Sequence, residues 1–196
     1  MPPKARITGE MIIEAGLKIV RTEGEDALNV RRVAAELNCS TQPVMYHYKT
    51  VEMLKADVYA AADEMHTGYI MTPEASAADP MQSIGLRYIR FAYEEKHLFR
   101  FLFQSGKFNS RSFRDLIYSD ELNVVIAPLC ESTGLNEAQA REAFETLFIC
   151  VHGAASMIAN NDIDYDEAYC ARLLTNTFFG IIGVLKGEGE NEKTVL

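Results

Sequence analysis

The sequence predicts an all-α chain: an N-terminal three-helix helix-turn-helix domain joined to a C-terminal helical domain. Three observations predict it. Apolar residues recur at helical spacing almost throughout, helix-capping residues punctuate those stretches, and no segment shows sustained β alternation. The 196 residues, 48% hydrophobic and 24% charged, are of ordinary globular composition and enough to bury a core.

Thr8 is placed to cap a first helix in which Ile12, Ala15, Ile19 and Val20 share a face. Gly24 is placed to end it in left-handed backbone, which glycine adopts freely. Asn29 caps a second helix with Val30, Val33, Ala34 and Leu37 inward, and Ala34 is small enough for another helix to cross closely. Asn38 falls where the chain must turn, and asparagine is the non-glycine residue best suited to a left-handed conformation. Ser40 caps a third helix with Pro43 in its first turn, where a missing N–H costs little. Thr50 caps a fourth, with Met53, Leu54, Val58 and Ala61 inward.

The stretch 72–80, TPEASAADP, reads as a linker, ending in Asp79 as cap and Pro80 as first helical residue, with Gln82 completing a capping box. A long helix passes through Arg87, Tyr88 and Phe91, bends near Lys96–His97 and continues into LFRFLF. Residues 105–120 read as a mobile loop with a short helix. A helix over about 121–133 is kinked at Pro128, Asn136 with Gln139 caps another to about Ala159, and the last runs to about Lys186 before a polar tail.

Cys39, Cys130, Cys150 and Cys170 are widely spaced with no CxxC, which indicates neither a zinc site nor a disulfide framework, but buried, reduced thiols. The start, MPPKARITGEM, lacks the apolar run of a signal peptide, and no apolar stretch approaches the roughly 18 residues of a membrane span. A cytoplasmic protein without membrane association is therefore expected. No Ser-His-Asp arrangement, Gly-rich phosphate loop or carboxylate pair is legible, so neither an enzyme nor a cofactor is expected.

The net charge of −9 is unevenly spread: residues 1–55 carry +1 and residues 56–196 carry −10. Phosphate binding depends on local cations, and Lys4, Arg6, Arg31, Arg32, Lys49 and Lys55 are candidates for such a face. Residues 29–55, NVRRVAAELNCSTQPVMYHYKTVEMLK, place two short helical patterns around a tight polar turn, the second rich in hydrogen-bonding and aromatic side chains. That is the layout of a helix-turn-helix, whose second helix enters the major groove of DNA.

With an apolar first helix ending at Gly24, this motif and the run Tyr46-His47-Tyr48-Lys49-Thr50, residues 8–55 resemble the DNA-binding domain of the TetR family of bacterial transcriptional regulators. The resemblance covers about a quarter of the chain. It implies that Arg31 reaches a base or phosphate and that Thr41, Gln42, Tyr46 and His47 lie on the recognition helix, with Gln42 suited to adenine. Tyr46, His47, Lys49 and Thr50 would hold phosphates, and Lys4 and Arg6 would form an arm on the backbone or in the minor groove. Two positions depart from the family pattern: Met45 stands where a Tyr is usual and Val51 where a Lys is frequent.

The resemblance also implies a C-terminal ligand-binding and dimerisation domain. The expected division is 1–55 for the DNA-binding head, 56–190 for the helical domain and 191–196 for the tail. Tyr88, Phe91, Phe103, Asn123 and His152 are candidates to line a mostly apolar cavity for a small-molecule effector. The last two helices mix Gly153, Ala154, Ala155, Gly180 and Gly183 with large apolar residues, and in the family such helices join their copies in a homodimer. The function expected is a ligand-released repressor on a palindromic DNA operator. The alternatives are a helical interaction dimer with a degenerate head, and a redox-responsive regulator using Cys39 or Cys150.

Overall fold

The computed structural model describes residues 7–73, 80–104, 115, 117–161 and 163–191, except the side chains of 121 and 188–191. Among these residues the chain is all-α, with no strand. The helices are α1 (Gly9–Glu23), α2 (Val30–Glu36), α3 (Thr41–His47), α4 (Val51–Ile70), α5 (Pro80–Glu94), α6 (Lys96–Phe103), α7 (Asn123–Thr133), α8 (Glu137–Asn161) and α9 (Glu167–Asn191). Contacts divide the chain into two compact units, Met1–Tyr69 with Glu94–Lys107, and Ile70–Tyr93 with Phe108–Leu196. The first unit therefore takes in nearly all of α4 together with α6.

Local chemistry places most helix ends. The Thr8 hydroxyl accepts from Met11 N–H, Asn29 Oδ1 accepts from Arg32 N–H, and Thr50 Oγ1 accepts from Met53 N–H. Asn136 and Gln139 form a reciprocal capping box, each side-chain oxygen accepting the other's backbone N–H. Pro128 lies inside α7, and Gly134 ends that helix in left-handed backbone at φ 73°. The break between α5 and α6 falls at Glu95 (φ −124°, ψ 48°), next to the expected bend. Asp79 and most of 105–116 lie outside the described residues.

Some expectations need correction. Gly24 is at φ 89°, ψ 173°, a glycine conformation outside the left-handed helical well, and its N–H closes the last turn on Val20 O. Ser40 occupies the cap position of α3, but its side chain makes no capping hydrogen bond. Met53 is 49% exposed, because the inward stripe of α4 runs through Leu54, Val58, Ala62 and His66 at four-residue steps. Helix α9 continues past Lys186 to Asn191, beyond the expected start of the tail.

The core of the first unit is built from Ile12, Ile19 and Val20 of α1, Val33 of α2, Val44 of α3, Leu54 and Val58 of α4, and Leu98, Phe99 and Phe101 of α6. Helices α1 and α4 approach closely at Gly16, where a Cβ would stand 2.6 Å from Val58 Cγ2. In the second unit Ile126, Leu129, Leu135, Ala140, Ala143, Ile182 and Leu185 form one cluster across α7, α8 and α9. Gly85 of α5 gives a second close approach, with Leu174 Cδ1 2.9 Å from where its Cβ would be. The buried Arg141 holds three segments of that unit, donating to Ile117 O, Asn123 Oδ1 and Glu137 Oε1.

Helices α8 and α9 each contain an 18-residue window long and apolar enough, by length and composition only, to cross a membrane. This differs from the expectation that no such stretch exists. Small and polar residues interrupt each apolar run while leaving the window average high. Only 33% and 22% of those windows are buried within the chain.

Candidate nucleic-acid interface

The turn between α2 and α3 is fixed by backbone hydrogen bonds. Cys39 N–H bonds to Ala34 O and Asn38 N–H to Ala35 O, the paired bonds of a Schellman motif, with Asn38 left-handed at φ 51°. Asparagine tolerates that conformation, so the chain leaves α2 in one direction and begins α3 three residues later.

Helix α3 has two distinct faces. Val44 (0% exposed) and Tyr48 just beyond the helix (6%) point into the core. The Tyr48 hydroxyl donates to Asp57 Oδ2 at 2.9 Å, which ties the end of α3 to α4. Burial, reinforced by that carboxylate, pushes the Tyr48 phenol up to about 12. On the other face Gln42, Met45 and Tyr46 are exposed, Tyr46 by 80%. Their spacing of i, i+3 and i+4 puts them side by side. Thr41 is half-buried at the first position of the helix.

The remaining candidates fall around this face. Arg31 and Lys49 are exposed. Thr50 is exposed as well, with its hydroxyl engaged as the α4 cap. His47 is exposed but anchored, its Nε2 lying 3.2 Å from Ile7 O, to which it donates when that nitrogen carries the proton. Lys4 and Arg6 lie outside the described residues.

Two cations proposed for a phosphate face are instead bound to carboxylates. Arg32 pairs with both Glu23 and Glu36, and Lys55 with Glu25. The Arg32 hydrogen bond holds the Glu23 carboxyl below its usual range, and hydrogen bonds from Lys18 and then Arg32 do the same for Glu36. The Arg32–Glu36 pair is legible as an i, i+4 spacing, whereas the Glu23 and Glu25 partners arise from tertiary folding.

The five candidates for an effector cavity do not converge as a set. Tyr88 and His152 are together in the second unit, with the Tyr88 hydroxyl 2.9 Å from His152 Nδ1. Burial raises the Tyr88 phenol and lowers the His152 imidazole from their ordinary values. The His152 ring stacks on Phe148 at 5.6 Å between centroids. Phe91 is fully buried in the same unit. Asn123 is engaged by Arg141, 2.6 Å away. Phe103 belongs to the first unit, its ring 5.0 Å from His66.

A depression of about 410 Å³ in the first unit, lined by Glu23, Asp26, His97 and Arg100 among others, is bordered by none of these five. Among the described residues no group of three or more His, Cys, Asp or Glu side chains is placed to hold a metal ion. All four cysteines are free, but of the four expected to be buried only Cys170 is, and burial raises its thiol above its usual range; Cys39, Cys130 and Cys150 are half-buried. Compared with known protein families and with curated proteins, the chain matches none.

Proposed function

We propose that the chain is a sequence-specific DNA-binding transcriptional regulator of the TetR type, acting as a homodimer on a palindromic operator. The observation that carries this reading is the outward face of α3. A short helix, held by a Schellman turn on one side and the Tyr48–Asp57 bond on the other, presents Gln42, Met45 and Tyr46 to solvent. Residues 37–51 contain no Asp or Glu, and Lys49 follows the helix, so this face suits a polyanion despite the acidity of the whole chain.

Gln42 reads a base edge, and Tyr46, Lys49 and Thr50 fix the register on phosphates. The second unit dimerises the chain and binds a small-molecule effector. Binding shifts the population toward a state in which the two heads no longer sit one DNA turn apart, and transcription is released.

Replacing Gln42 or Arg31 by Ala tests the reading. Each replacement weakens binding to a selected operator by about 1–3 kcal/mol while leaving non-specific binding almost unchanged. Equal losses on operator and random DNA would remove base readout from the proposal.

A further inference from the structure

We propose that Met45 is a specificity-determining residue that reads the C5-methyl group of a thymine in the major groove. The inference rests on the DNA-binding reading above and deepens it.

Met45 is 56% exposed at the centre of the outward face of α3, flanked at i−3 by Gln42 and at i+1 by Tyr46. It is not needed for packing, because Val44 and Tyr48 fill the space on the inward side. Its thioether is a weak acceptor and no donor, so it holds no phosphate and offers the amino groups of adenine and cytosine no more than a weak bond. Against guanine, cytosine or adenine it would strip water from donors and acceptors without replacing their hydrogen bonds. The one apolar group that base edges offer in the major groove is the thymine methyl. An unbranched, flexible side chain is well suited to reach and cover it.

The surroundings favour duplex DNA over a protein partner as the occupant. Met45 is the exposed aliphatic side chain of α3; Tyr46 beside it is also exposed, with its hydroxyl, and Gln42, His47, Lys49 and Thr50 make the rest of the exposed surface around it polar. A protein-docking face would need a broader apolar area. With Gln42 suited to adenine, each half-site then contains A·T pairs read from neighbouring positions on one helix face.

The test uses the full-length protein and a pool of duplexes with a randomised centre. The selected operator is resynthesised with each thymine in turn replaced by deoxyuridine, which removes only the methyl group. At one thymine per half-site the replacement weakens wild-type binding roughly threefold or more. Met45→Ala, whose thermal midpoint stays at the wild-type value because the side chain is exposed, is indifferent to the same replacement. Met45→Leu keeps part of the penalty. Wild-type indifference to deoxyuridine at every thymine overturns the assignment, as does an undiminished penalty in Met45→Ala. If selection enriches no sequence at all, the DNA-binding reading fails and the assignment with it. Selective binding without a methyl effect removes the assignment alone.

Discussion

His66 lies on the inward stripe of α4, four residues after Ala62, with its ring edge-on to Phe103. Burial disfavours the charged imidazolium and lowers the side chain from 6.5 to about 4. The folded state therefore resists protonation that the unfolded chain accepts. Above pH 6.5 the ring is neutral in both states and has no effect on the pH dependence. As pH falls from 6.5 toward 4, the unfolded state binds the extra proton and stability declines by an amount on the order of 3 kcal/mol. Below that range the contribution is constant. Urea unfolding of wild type and His66→Leu at pH 7 and pH 4.5 isolates it, since the carboxylates titrate alike in both proteins. The wild type loses more stability between the two pH values than the variant does. Equal losses would mean that His66 is protonated as readily in the fold as out of it.

At the level of helices, the crossing of α1 and α4 depends on Gly16. A methyl group there would stand 2.6 Å from Val58 Cγ2 and 3.4 Å from Leu28 Cδ1. Valine is stiff about χ1 and gives way poorly. Gly16→Ala is thus expected to destabilise the protein by about 1–2 kcal/mol, the overpacking exceeding the roughly 1 kcal/mol that alanine gains over glycine inside a helix. In a Val58→Ala background the same replacement becomes stabilising. The sign reversal, measured by chemical unfolding of the four proteins, separates a close crossing from a merely flexible glycine. The sequence suggested a close crossing at Ala34 and gave no equal weight to Gly16, although a glycine inside a helical stripe is a packing signal.

Thr8, Asn29, Thr50 and the Asn136–Gln139 box were legible because each cap is decided within a few residues of chain. The α3 face was legible for the same reason, as a short period with polar residues at the right offsets. Met53 was misplaced by one position, since several apolar phases fit the start of α4 and tertiary packing selects one. The partners of Arg32, Lys55 and Asn123 were not legible beyond the one i, i+4 spacing. They come from elements that meet only on folding.

For the whole molecule, assembly turns on the surface left by α8 and α9. Ile149, Gly153 and Met157 follow one another at four-residue steps along α8, with Ile149 53% and Met157 59% exposed. On α9, Phe179 is 68% and Val184 54% exposed, and nothing lies within 4 Å of where a Cβ would be on Gly153, Gly180 or Gly183. Large apolar side chains beside open glycines form a surface that water tolerates poorly and a helix pair packs well. In the proposed homodimer a second copy would cover it by two-fold pairing, which would also supply the second reading head that a palindrome requires. Phe179→Asp places a charge on the exposed surface of α9 at a side chain that is 68% exposed, at the cost of an edge-on contact with Phe178. The variant is expected to sediment as a folded monomer at micromolar concentration in detergent-free buffer, where the wild type sediments as a dimer. Its affinity for a full palindrome falls to that for a half-site, because the second head is no longer held at high effective concentration. A wild-type monomer in the same buffer would discard the dimer. Solubility of the wild type only in detergent would assign these stripes to lipid instead, and with them the long apolar windows of α8 and α9.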